Sequence, residues 1–135
     1  MNNFQLENLF IICGEALAFT KYYVSNESFE GIYINFPDPW PKDKHAKHRL
    51  IQEDFITEMA RVSKKEAKLL VVTDHRDYAD RIGKTMLAHP AWTNVFPSPY
   101  FVTEWKDYGT SFFDQLWREK GRTIQYLQFS KQINL

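Results

Sequence analysis

Asp38 and Trp40 stand between prolines in the run Ile32-Tyr33-Ile34-Asn35-Phe36-Pro37-Asp38-Pro39-Trp40-Pro41-Lys42, and no other spacing in the sequence points so directly to chemistry. Proline fixes φ and offers no backbone donor, so three prolines in five positions exclude helix and sheet from residues 37–41. Each proline also drives its predecessor, here Phe36, Asp38 or Trp40, toward extended backbone. The loop is therefore predicted to be stiff, holding a carboxylate and an indole at set angles. Residues 42–49 follow with four cations (Lys42, Lys44, Lys47 and Arg49), two histidines and a single acid. A carboxylate and an aromatic plane beside a basic patch suit a flat, polar substrate tethered to an anionic chain, such as a base in RNA. A proline-rich turn leading into a solvated helix start is the structural alternative.

The elements that must position this loop are readable from periodicity. Residues 30–36 form an apolar, β-branched and aromatic run predicted to be a buried strand, with the loop at its C-terminal end. In open α/β sheets such strand ends are where ligands bind. Leu9-Phe10-Ile11-Ile12-Cys13 is read as an earlier buried strand, and residues 15–23 as a short helix. Residues 50–63 carry Leu50, Ile51, Phe55, Ile56, Met59, Ala60 and Val62 at helical spacing. A turn at Lys64, Lys65 and Lys68 and a buried strand at 67–73 come next. Residues 76–88 are predicted as a second amphipathic helix with Tyr78, Ile82, Met86 and Leu87 inward, stopped by His89-Pro90. A short strand at 92–96 precedes a break at Pro97-Ser98-Pro99. A polar, mobile loop is expected at 103–108, a helix capped by Thr110 through Arg118, and an edge strand at 122–129. The alternation argues one α/β layered sheet in a single domain.

With 135 residues the chain has enough material for a real core. Seventeen basic residues balance seventeen acidic ones, so any affinity for nucleic acid must come from local patches. The lone Cys13 excludes an internal disulfide, fits a reducing compartment, and is read as a small buried hydrophobe. No apolar stretch approaches the roughly 20 residues needed to cross a bilayer, and there is no signal peptide, so a cytoplasmic location and no membrane partner are expected. His45 and His48 have no cysteine or acid at ligand spacing, so no metal site is expected. Only five glycines are present, and no two lie within ten residues, so the glycine-rich turn of a nucleotide-binding half is absent from this sequence.

Asn35-Phe36-Pro37-Asp38-Pro39-Trp40-Pro41-Lys42, followed by Lys44-His45-Ala46-Lys47-His48-Arg49-Leu50, resembles the signature of the bacterial tRNA (guanine-N7-)-methyltransferase family. Gly14-Glu15-Ala16, Thr73-Asp74 and Thr110-Ser111-Phe112-Phe113 resemble further motifs of that family in the family's order. The resemblance implies the C-terminal portion of a Rossmann-like class I methyltransferase sheet, incomplete at the N-terminus. The residues matching the first two strands, with their glycine-rich turn, are not in this sequence. It also implies S-adenosylmethionine as cofactor, tRNA as partner, and methylation of guanine N7 in the tRNA variable loop.

Carried over residue by residue, the resemblance makes Asp38 the catalytic carboxylate and, with Glu15, a cofactor contact. Lys42, Asp74, Thr110, Ser111, Phe112 and Phe113 become substrate contacts. Trp40, Lys44, Lys47, Arg49 and Asp114 are further candidates for touching tRNA, the indole by stacking and the cations at phosphates. The family's late motif usually has Glu where Phe113 stands, so either Asp114 takes that role or the contact is lost. Acids at strand ends also commonly cap the next helix, which is the structural alternative for Glu15 and Asp74. Two other functions stay open. One is a truncated, catalytically silent chain that binds tRNA; the other is a domain completed by another polypeptide. Missing first strands would bare a sheet edge inclined to self-association, and cofactor binding too weak for turnover is expected of these residues alone.

Overall fold

The computed structural model describes residues 5–97 and 100–133, so residues 1–4 and part of the expected break, at Ser98 and Pro99, lie outside the described residues. The elements run α1 (Ala16–Tyr23), β1 (Phe29–Asn35), α2 (Glu53–Val62), β2 (Ser63–Thr73), α3 (Arg76–Ala88), β3 (Trp92–Asn94), α4 (Phe112–Glu119) and β4 (Gln125–Lys131). A 3-10 segment, Asp43–His48, follows the proline loop.

The four strands form one mixed sheet in the order β1-β2-β4-β3. β1 and β2 are parallel, whereas β4 runs antiparallel to both β2 and β3. Strand alternation sorts the side chains into two layers. Leu69 and Val71 face the larger core with Ile56, Met59, Tyr78, Ile82 and Met86 from α2 and α3. Leu70 and Val72 face the other way, joined by Ile124 and Tyr126 and flanked by Phe36, Trp105, Tyr108 and Trp117. Both faces of β2 are covered, which explains its unbroken apolar run.

Several expectations are corrected. The apolar run Leu9 to Cys13 is not a strand: Leu9, Phe10, Ile11 and Ile12 are all more than half exposed, and Cys13 is exposed. A strand needs a partner for its amides, and no described strand lies beyond the outer edge of β1. β4 is interior, not an edge, because antiparallel pairing lets it slot between β2 and β3. The expected lysine turn is the start of β2, where the register slips between Phe29 and Gly31 and Glu66 takes a φ of +64°. On α3, Leu87 is exposed, while Ala79 is buried and Gly83 lies against the ring of Tyr100, where a Cβ would stand 2.8 Å from Cγ. The 103–108 segment is anchored by Trp105, which packs edge-on against Phe96 and Tyr126.

Arg61 ties α1 to α2. Its guanidinium meets both oxygens of the buried Glu58 (2.9 and 2.6 Å), Asn26 Oδ1, and the Thr20 and Val24 carbonyls that end α1. Hydrogen bonding from Arg61 outweighs burial and holds the Glu58 carboxyl below its usual pKa. A depressed carboxylate contributes stability above its unfolded pKa, about 4.5, and loses it as pH falls through the folded value. The melting-temperature gap between wild type and Glu58→Gln should therefore be widest above about pH 5 and close as pH falls toward 3; a gap constant with pH would contradict this latch.

Candidate functional site

The site begins where β1 ends. Phe36 N donates to Val72 O (2.7 Å), extending the parallel pairing by one residue before the prolines break it. Phe36 and Trp40 then take φ values of +50° and +42°, not the extended backbone expected before proline. Such backbone is uncommon in residues with a Cβ and needs compensating contacts. Two are present. Asp38 Oδ1 accepts from Trp40 N (3.0 Å), closing a local turn. Arg49, buried at 8% exposure, donates from Nε to Pro39 O (2.6 Å) and from Nη2 to Trp40 O (3.0 Å). Its guanidinium lies 5.5 Å from the centre of the Tyr78 ring. Tyr78 is itself buried, which raises its hydroxyl pKa, and its oxygen accepts from Ile51 N.

Arg49 is therefore no phosphate contact. It faces inward because the loop's two carbonyls would otherwise lack a donor. Lys42, Lys44 and Lys47, by contrast, are exposed along the 3-10 segment. Trp40 is half-buried, its indole packed against His45 and His48, at 5.6 and 5.0 Å between ring centres.

β2 ends beside β1, and its last residues complete the wall. Asp74 pairs with Arg122 Nη1 across the end of the sheet. Asp38, Asp74, His75 and Arg122 share one open cleft of about 500 Å³ with Phe36, Pro37, Pro39, Pro41, Phe113 and Trp117. The two carboxylates, which follow the adjacent parallel strands β1 and β2, thus line the same cleft at the carboxyl ends of those strands. The aromatic surface comes from Phe113 and Trp117, stacked at 6.3 Å with 17° between planes, and from Phe36 at 5.9 Å from Phe113.

The late motif divides between two places. Phe113 enters the Asp38 cleft, while Phe112 is 71% exposed. Thr110 and Ser111 line a neighbouring cleft of about 490 Å³ with Tyr33, Asn35 and Tyr108. Ser111, and not Thr110, caps α4 by accepting from Asp114 N (3.2 Å). The Tyr108 hydroxyl donates to Asn35 Oδ1 (2.9 Å) and lies 3.2 Å from Ser111 Oγ, so it links the end of β1 to the start of α4. Asp114 does not replace the absent Glu. It is buried, accepting from Arg118 Nε (2.9 Å) and from the Tyr126 hydroxyl. Burial, reinforced by the Asp114 carboxylate, raises the Tyr126 pKa. Glu15 caps α1, accepting from Leu17 N and Ala18 N (3.1 and 2.8 Å).

The arrangement defines an α/β domain with an open cleft at the carboxyl ends of parallel strands, the place where such sheets bind ligands. A family model described as "Putative methyltransferase" matches residues 1–127. The tRNA (guanine-N(7)-)-methyltransferase of Chlamydia caviae is 40% identical over 135 residues, which are the whole chain and 59% of that protein. The enzyme of the same name from Chlamydia muridarum is 41% identical with the same coverage. That of Streptomyces coelicolor is 30% identical over 127 residues, covering 94% of this chain and 47% of its own length. The chain thus spans about three-fifths of the length of its Chlamydia relatives. It belongs to the methyltransferase family that this model describes, and its mixed sheet is a portion of a Rossmann-like class I methyltransferase sheet.

Sequence reasoning missed Arg49 and Arg122 as structural members of the site. The loop carbonyls were the available signal for Arg49, since a proline loop at a strand end needs donors from elsewhere. Arg49→Lys, which keeps the charge but cannot span both carbonyls, should cost about 1–3 kcal/mol of stability. Lys44→Gln and Lys47→Gln should stay within about 0.5 kcal/mol of wild type. Denaturant unfolding checks both; equal effects would contradict the clamp.

Proposed function

We propose that this domain transfers a methyl group from S-adenosylmethionine to N7 of a guanine in the variable loop of tRNA, acting in the cytoplasm. The juxtaposition of Asp38 with Asp74, Phe113 and Trp117 in one cleft at the strand ends carries this reading. Guanine N7 has an in-plane lone pair and no proton, so no strong base is required. Alignment is the main demand, and a rigid loop suits it. Asp38 Oδ2 has no partner among the described residues, since the turn uses Oδ1. It would accept from the guanine's Watson–Crick edge and offset the positive charge that develops on the ring. Phe113, 48% exposed, supplies the plane on which an unstacked base would lie. Lys42, Lys44 and Lys47 would hold phosphates beside the cleft.

The residues present fit one wall of a cofactor site: Asp38 offers a free carboxylate oxygen and Phe36 and Pro37 an apolar surface. When bound, the cofactor supplies an electrophilic methyl on sulfur. Glu15 would reach it only by sharing the oxygens that now cap α1.

Asp38→Asn, in a chain extended to the length of its relatives, should lower methylation by about 10²-fold or more with little change in melting temperature. Parallel loss of activity and stability would contradict a chemical role for Asp38. A polypeptide of these 135 residues alone should bind the cofactor too weakly for turnover. It should also associate through the open edge of β1 and the exposed Phe10, Ile11 and Ile12. Calorimetric titration and sedimentation test this; low-micromolar cofactor affinity in a monomer would refute it. Such a short chain that still bound tRNA would match the silent, tRNA-binding alternative.

A further inference from the structure

We infer that Arg122 is a phosphate-binding residue of the Asp38 cleft, taking one phosphodiester of the bound RNA on the Nε–Nη2 edge of its guanidinium. This rests on the tRNA reading above and adds a residue that neither the motifs nor the resemblance assigned.

Local structure puts this arginine in place. Beyond α4 and its cap Lys120, Gly121 with a φ of +79° turns the chain back, and Arg122 N donates to Trp117 O (2.9 Å) across that turn. The Arg122 side chain is thereby laid over the Trp117 indole, with its guanidinium carbon 4.0 Å from the ring centre. Its Nη1 is held by Asp74, whose side chain is only 16% exposed. Stacking and the ion pair fix the plane and rotation of the group. Nε and Nη2 have no partner among the described residues, and the side chain is 51% exposed in the cleft. Two parallel N–H donors on one edge match two phosphate oxygens, and a pre-oriented fork loses little entropy on binding.

The charges around it agree. Lys120 Nζ lies 5.4 Å from the centre of the same Trp117 ring, so a second cation stands beside this platform. Asp38, Asp74 and His75 also line the cleft. Asp74 is already engaged by Nη1, so it directs the opposite edge outward.

The test is binding of the full chain to an unmodified tRNA transcript, followed by fluorescence anisotropy over a series of salt concentrations. Arg122→Gln should weaken binding and flatten the log–log salt dependence by about 0.7 to 0.9. Asp74→Asn, which breaks the same ion pair from the other side but leaves the Arg122 cation in the cleft, should not flatten that slope. Arg122→Lys should keep the slope and lose affinity, and thermal melts confirm that each variant is folded. If Lys44→Gln flattens the slope and Arg122→Gln does not, Arg122 merely positions Asp74 and the inference fails while the tRNA reading stands. If wild-type binding is indifferent to salt, the tRNA reading itself fails.

Discussion

The two hydrogen bonds from the buried Arg49 guanidinium to the carbonyls of Pro39 and Trp40 are the constraint on which the site depends. Prolines make the loop stiff but do not choose its shape. Left-handed backbone at Phe36 and Trp40 costs on the order of 1–3 kcal/mol each. The clamp, the Asp38–Trp40 turn and the Phe36–Val72 bond offset that cost. Strain in this loop, held by neighbours on its inner side, keeps Asp38 in place.

The rest of the sheet turns this one fixed carboxylate into a cleft. Parallel pairing of β1 and β2 brings Asp38 and Asp74 to the same end. β4 enters antiparallel, so Arg122, just before it, also lies at that end and pairs with Asp74. α4 brings Phe113 and Trp117 over the opening. Its own seat is the buried Asp114–Arg118–Tyr126 network, in which Arg118 also reaches the Tyr126 hydroxyl (2.8 Å). The neighbouring Tyr108–Asn35 bond sets how far that helix stands from β1.

Much of this was legible in the residues, and the failures have physical causes. α3 begins and ends where its periodicity and the His89-Pro90 stop place it. β2 follows from a run buried on both faces, whereas β1 forms where its apolar run predicts a strand but not as a buried one: it is the sheet's edge, with only Ile34 buried and Tyr33 70% exposed. Residues 9–13 have the composition of a strand, but composition cannot supply a partner edge, and without one the run stays exposed. The place of β4 depends on pairing across the chain, so local alternation could not tell interior from edge. Proline statistics gave extended backbone for Phe36 and Trp40, whereas long-range donors from Arg49 decided otherwise. Arg49 and Asp114 looked available for RNA because charge is visible in a sequence and burial is not. The Asp38, Asp74 and Phe113 grouping came from motif resemblance, and the cleft unites the three.

The most direct measurement is nucleoside analysis of an unmodified tRNA transcript after incubation with methyl-labelled S-adenosylmethionine and this chain extended to its relatives' length. A cleft that aligns guanine N7 without a base predicts label in 7-methylguanosine from a single variable-loop position. Label on an exocyclic amine, a ribose hydroxyl or another base would contradict it, because each of those needs a different presentation to Asp38.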